Sequence, residues 1–321
     1  MMSQETHEKE ENFMDPLTNF MTANWLKLPC GITASEQLKY GELRQKILPT
    51  PDEKLTDLHS SSPDGMHKVF TSVLNDVKLK HPVMLVGPAG SGKSKLLEQV
   101  AKKLELKYYP MPVCADTPEY RIVGYKTAEG IYSGTAFREA YENGGLFSFE
   151  EIDAGNPNIL TLINSAISQD FYVFPDTTVQ KNENFRLCAS ANTYGYGATQ
   201  QYVGRNPLDA ATLDRFAVTH VDYDKDLEIK IGPVEEWTFF IQALRSVVFD
   251  RYNHGDCPQI IVSTRTVVNG GQDVASGASW DDVLHKFVWR GAVQQELIDA
   301  IKLEAFRPFL TNYFTYKRNQ K

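Results

Sequence analysis

Cysteine is scarce in this chain, and its spacing suggests no pairing. The four cysteines (Cys30, Cys114, Cys188 and Cys257) lie far apart with no CxxC. A disulfide framework is therefore not expected, and a reduced compartment fits. Cys114 and Cys188 sit inside apolar runs and are expected to be buried thiols. The seven histidines are scattered, with no HExxH and no paired ligand spacing, so the chain offers no metal motif of its own. Long hydrophobic runs are missing too. None approaches the ~18 residues of a membrane span. The opening Met-Met-Ser-Gln-Glu-Thr-His-Glu-Lys-Glu-Glu is acidic and polar, unlike a signal peptide. No membrane association is expected, and the cytoplasm is the expected location. Positive charge is outweighed: Lys and Arg number 33 against 41 Asp and Glu, a net charge of -8. General nucleic-acid affinity, which rests on clustered Lys and Arg, is not expected, although a local basic channel stays open.

What is present is enough apolar material for a substantial core in 321 residues. The expected organisation is an N-terminal extension over 1–64, an α/β domain over 65–228 and a helical domain with a tail over 229–321. The first dozen residues read as disordered on charge alone. Phe13 to Leu48 carries Phe20, Trp25 and Leu26 with no clean period, and suits packing on the main domain or binding a partner. A Ser/Pro/Asp-rich loop at 60–65 then leads to a helix from Met66 to Lys78.

From Pro82 apolar runs alternate with amphipathic segments. Pro82 to Val86 is a continuous apolar run, as a strand buried on both faces requires. Leu97, Val100, Ala101 and Leu104 recur at helical spacing. Further strands are expected at Tyr108 to Val113, Leu146 to Phe149 and Phe185 to Ser190, with a helix presenting Ile159, Leu160, Ile163 and Ile167 before the last. Phe171 to Phe174 and Thr177 to Gln180 flank Pro175-Asp176 as a small hairpin. Alternation of this kind gives an α/β domain with a mainly parallel sheet. Beyond Ile229 the pattern turns helical, with helices over Val234 to Tyr252 and Ala292 to Phe306.

Gly87-Pro88-Ala89-Gly90-Ser91-Gly92-Lys93-Ser94 matches GxxxxGK[ST] at every fixed position, between a buried strand and an amphipathic helix. Glycines let the backbone wrap phosphates so that N–H groups and the helix N-terminus face the anion. Lys93 is then expected on the β- and γ-phosphates and Ser94 on Mg²⁺. Gly144 to Glu151 is an apolar strand ending in two acids, the Walker B arrangement. Glu150 takes the metal-shell position, where Asp is usual, and Glu151 that of the base that polarises water. Asn192 follows a buried strand, where open α/β sheets bind ligands. Asp209 to Phe216 forms a short helix ending in Arg215.

In this order and spacing, the four elements resemble the AAA+ superfamily, and more narrowly its MoxR-type and CobS-like (dynein-related) branch. Glu151-Ile152-Asp153-Ala154-Gly155-Asn156-Pro157 is similar to the segment after Walker B in CobS-like proteins. Ala191 to Gly197 resembles their sensor 1 block, Leu213-Asp214-Arg215-Phe216 their arginine-finger box, and Ser263-Thr264-Arg265-Thr266 their sensor 2. The resemblance implies a P-loop NTPase core with a smaller C-terminal helical lid, and ATP and Mg²⁺ as cofactors. It makes Asn192 sensor 1, Arg215 a finger offered to a neighbouring subunit and Arg265 sensor 2, with Arg205 a second candidate interface arginine. It also implies a homo-oligomeric ring, of six by family habit, and a partner with a von Willebrand factor A domain. Residues 117–134 match the helix 2 insertion and the Pro175 hairpin the insertion before sensor 1. The expected function is a ring-forming ATPase that remodels a protein client. A P-loop kinase or GTPase, or a nucleotide-binding structural or DNA-associated module with weak hydrolysis, stays open.

Overall fold

The computed structural model describes residues 65–199, 201–291 and 294–320. The expectations for Phe13 to Leu48 and for nearly all of the 60–65 loop, together with Cys30, lie outside these residues. The described residues fall into two compact units that divide at 230/231.

In the first unit, α1 (Phe70–Lys78) buries Phe70, Val73, Leu74 and Val77 at spacings of three and four. It leads to β1 (Val83–Val86), buried at every position. After the glycine-rich loop come α2 (Lys93–Lys103), which buries Leu96, Leu97, Val100 and Ala101, and β2 (Tyr108–Pro112). Next are α3 (Glu119–Val123), a short antiparallel pair β3 (Tyr125–Lys126) and β4 (Tyr132–Ser133), and α4 (Ala136–Asn143). β5 (Gly145–Glu150), α5 (Pro157–Ser168) and the hairpin β6 (Phe171–Val173) and β7 (Thr178–Gln180) follow. β8 (Phe185–Ala191), α6 (Ala210–Leu213), β9 (Ala217–His220) and α7 (Lys225–Ile231) close the series.

The main sheet has five parallel strands in the order β2-β5-β8-β1-β9. Its apolar sequence is what a parallel sheet covered on both faces demands. One core gathers Phe137, Tyr141, Phe147, Phe149, Leu160 and Ile163 on one face. The other joins Leu85, Leu97, Val100, Leu146 and Cys188 to α1. The strands expected from sequence are all present, within a residue or so at their ends.

Two expectations are corrected. Cys114 is exposed. The β2 strand stops at Pro112, and the chain turns so that Cys114 carries a Thr117 hydrogen bond from its backbone N–H (2.8 Å) instead of continuing the buried run. The last helix runs Gln295–Asn319, well beyond Phe306 and through Pro308, because Phe309 and Tyr313 keep its buried face going. The helix α4 was not foreseen. Thr135 caps it by accepting from the Arg138 N–H, and Phe137, Ala140 and Tyr141 anchor it.

The second unit is helical: α8 (Glu235–His254), a π-helical turn (Thr266–Gly270), α9 (Gly271–Ala275), α10 (Trp280–Leu284), a second π-helical turn (His285–Trp289) and α11 (Gln295–Asn319). Trp237 is its hub. Its ring meets Trp280 edge to face, its Nε1–H donates to the Thr266 carbonyl at 3.1 Å, and a Cβ on Gly270 would come within 2.7 Å of it. Among the described residues no helix is long and apolar enough to cross a membrane.

Candidate nucleotide site

The site sits at the carboxyl ends of β1, β5 and β8, which are neighbours in the sheet. Open parallel sheets place ligands at this edge. The loop from Gly87 to Gly92 leaves β1 beneath the first turn of α2. Gly87 has to be glycine because of crowding: an added Cβ would lie 2.0 Å from the Val221 carbonyl oxygen. Gly90 and Gly92 adopt φ of 75° and 94°, a region L side chains rarely enter. Gly92 also serves as the N-cap of α2, whose first turn has no side-chain cap. Two tyrosines brace Ala89. Its N–H donates to Tyr202 Oη and its carbonyl accepts from Tyr223 Oη, both at 2.9 Å. Pro88 contributes its carbonyl to the lysine described next.

Lys93 is buried and turned inward. Its Nζ donates to the carbonyls of Gly87 (2.7 Å) and Pro88 (3.0 Å) and to Asn192 Oδ1 (2.9 Å). The phosphate-loop lysine and the expected sensor asparagine, 99 residues apart, are thus in direct contact.

Ser94 is joined to Glu150 by a hydrogen bond from its hydroxyl to Oε2. The same carboxylate accepts from Ser190 at Oε2 (2.7 Å), and from Tyr108 (2.9 Å) and Ser148 (3.0 Å) at Oε1. Burial, reinforced by the adjacent Glu150 charge, pushes the Tyr108 phenol far above the usual tyrosine value, so it stays a donor. Below it, burial holds the Cys188 thiol up at about 12.

Glu151 follows at φ 58°, a left-handed conformation uncommon for a side chain of this length. Strain of this kind costs on the order of 1–3 kcal/mol and concentrates at functional positions. The Glu151 N–H donates to Ser190 Oγ at 3.3 Å, and the carboxylate is largely exposed. Its partner is Arg205, 2.9 Å away, which also reaches Asp153 at 3.2 Å. Asp153 is fully buried and accepts from the N–H groups of Asn192 (3.1 Å) and Thr193 (2.9 Å) and from the Thr193 hydroxyl (2.9 Å). The end of β8 is therefore fixed by the same acid that anchors Arg205.

Lys93, Ser94, Glu150, Glu151 and Asn192 are brought together in this way. Arg215, just past the end of α6, has other contacts, with Ser168 Oγ (3.2 Å) and the Ala211 carbonyl. Arg265 lies in the helical unit, exposed at the start of the first π-helical turn. Arg205, the second candidate for an interface arginine, is paired with acids of its own chain, as a structural arginine would be. Tyr108, Ser148, Ser190, Asp153 and Tyr202 were not foreseen as site residues. Of these, only the hydroxyls interrupting apolar strands carry a signal in sequence.

Three observations suit a magnesium nucleotide. Ser91 Oγ is buried in the loop with no hydrogen-bond partner of its own. The N-terminus of α2 opens beside it, a natural anion seat. Ser94 and Glu150 supply only part of a shell, which suits a cation that takes its other ligands from phosphate and water.

The fold and site define a P-loop α/β nucleotide-binding domain. Residues 82–216 match the family model of the AAA domain, dynein-related subfamily. Uncharacterised proteins of Staphylococcus aureus, from strains USA300 and MRSA252 among others, are 26% identical over 168 residues, 48% of this chain. The match spans about three fifths (61%) of the length of those relatives. Crystal structures of NtrX from Brucella abortus, one in complex with ADP, are 12% identical and cover 79% of this chain and 58–59% of theirs. At a TM-score of 0.46 this likeness is coarse and adds nothing to the functional reading.

Proposed function

We propose that this protein hydrolyses Mg-ATP as a subunit of a homo-oligomeric ring and uses the cycle to remodel a protein client, in the manner of MoxR- and CobS-like ATPases. One observation carries the reading: Lys93 contacts Asn192 while Ser94 contacts Glu150. Residues from three separate strand ends thus form one cluster beside the phosphate loop.

In this reading Gly87 to Ser94 wrap the phosphates with backbone N–H groups, and Lys93 exchanges its carbonyl contacts for phosphate oxygens. Ser94 and Glu150 hold Mg²⁺, which neutralises charge on the phosphates when bound. Glu151 takes the proton of the attacking water, and Asn192 orients that water. Arg215 completes the site of the adjacent subunit, and Arg265 of the helical unit reports nucleotide state. Rings are common among AAA ATPases, and six subunits follow that habit. Head-to-tail contacts of this type close into rings where the rotation allows it. A partner with a von Willebrand factor A domain fits the same branch.

The test uses two variants. Lys93→Ala is expected to lose nucleotide binding. Glu151→Gln is expected to bind ATP normally and to hydrolyse it about 10²- to 10⁴-fold more slowly. Normal turnover by Glu151→Gln would remove the glutamate from the base position. Retained ATP affinity in Lys93→Ala would remove the phosphate-loop assignment.

A further inference from the structure

Glutamate at the metal-shell position is one methylene longer than the usual aspartate, and an unrestrained side chain of that length has more ways to point. The structure shows what restrains it. Oε1 accepts from Tyr108 at 2.9 Å and from Ser148 at 3.0 Å, while Oε2 accepts from Ser190 at 2.7 Å and from Ser94. A carboxylate has about four acceptor sites, so all are in use. Two of the donors are costly to place. Ser148 and Ser190 are 0% and 2% exposed, inside strands that otherwise run Leu146, Phe147, Phe149 and Leu187, Cys188, Ala189. A buried hydroxyl is tolerated where it is hydrogen-bonded, and Glu150 provides that bond for both. The two oxygens have separate surroundings. Oε1 is tied down by Tyr108 from the edge strand β2 and by Ser148 from its own strand, and Oε2 is turned toward the phosphate-loop serine.

We propose that Tyr108 is a positioning residue for magnesium: its phenol, with Ser148, clamps Oε1 of Glu150 so that Oε2 stands at the metal shell beside Ser94. The inference rests on the Mg-nucleotide reading of the site. Tyr108 acts through Glu150, to which its phenol donates. The clamp is matched to glutamate. An aspartate at 150 falls short of the phenol and loses the restraint along with the methylene.

The probe is a fluorescent N-methylanthraniloyl-ADP, with binding measured on the full chain in EDTA and then across a Mg²⁺ titration. Tyr108→Phe keeps the ring and removes the donor. It is expected to match the wild type in EDTA within about twofold, and to need about tenfold more Mg²⁺ for half of the metal-dependent change, the scale of one hydrogen bond to a charged group. Glu150→Asp is expected to show a similar rise. Tyr108→Phe added to Glu150→Asp is expected to add nothing, because the contact is already gone. A wild-type Mg²⁺ response in Tyr108→Phe overturns the proposal. So does equal weakening with and without Mg²⁺, which marks a purely structural role, and so does full additivity in the double variant. Failure of the wild type to bind the probe at all would instead remove the nucleotide reading beneath it.

Discussion

Arg205 grips two acids at once: Nη2 lies 2.9 Å from Glu151, the expected base, and Nη1 lies 3.2 Å from the buried Asp153. Asp153 in turn fixes the backbone of Asn192 and Thr193. The ends of β5 and β8 are therefore braced by one ion-pair network. Its buried arm matters more for stability, because exposed ion pairs contribute little.

Arg205→Ala leaves Asp153 with its three hydrogen bonds but without a cation. The expected loss is about 2 kcal/mol, read as a lower urea midpoint at unchanged slope. Arg205→Lys is expected to recover less than half of it, since an ammonium cannot fork across both acids. An unchanged midpoint in Arg205→Ala would make the network incidental.

Gly87 separates crowding from conformational strain. Gly87→Ala places a methyl 2.0 Å from a backbone oxygen that cannot step aside. It is expected to cost about 3 kcal/mol or more and to abolish nucleotide binding. At Gly204 nothing lies within 4 Å of an added Cβ. Gly204→Ala is expected to stay within about 0.5 kcal/mol. Thermal melting of the two variants beside the wild type checks both.

The cysteines differ in the same measurable way. Cys188 is fully buried with its thiol held up at about 12, whereas Cys114 is exposed. Iodoacetamide at neutral pH, mapped by peptide mass spectrometry, is expected to mark Cys114 and spare Cys188 until the protein unfolds. The raised thiol also sets a sign. The unfolded chain releases this proton near the ordinary value of 9, earlier than the folded one. Its contribution to stability is therefore complete below pH 9 and lost as pH climbs toward 12. A urea midpoint insensitive to Cys188→Ala across that range would contradict the shift.

Much of the sheet was legible, because strands buried on both faces are written as unbroken apolar runs such as Pro82 to Val86. The phosphate loop and the Glu150-Glu151 pair were equally plain, since fixed residue types at fixed spacing serve one local geometry. The contacts across strands were not. Nothing near Tyr108 in sequence points to Glu150, 42 residues on, and Arg205 meets Glu151 only because the loop after β8 folds back over the site. Cys114 misled for a local reason: its neighbours are apolar, but the strand had already ended at Pro112. The final helix misled in the opposite sense, since Pro308 reads as a breaker while Phe309 and Tyr313 hold the face beyond it.

If the site is completed only between subunits, ATP hydrolysis per subunit depends on protein concentration and on Arg215, and both are read by an ATPase titration with Arg215→Ala run beside the wild type. Specific activity is expected to climb steeply with concentration in the wild type. In the variant it is expected to fall by about 10³-fold or more, while nucleotide affinity is retained. Activity that is flat with concentration and indifferent to Arg215 would contradict the shared site and favour a P-loop enzyme working as a monomer.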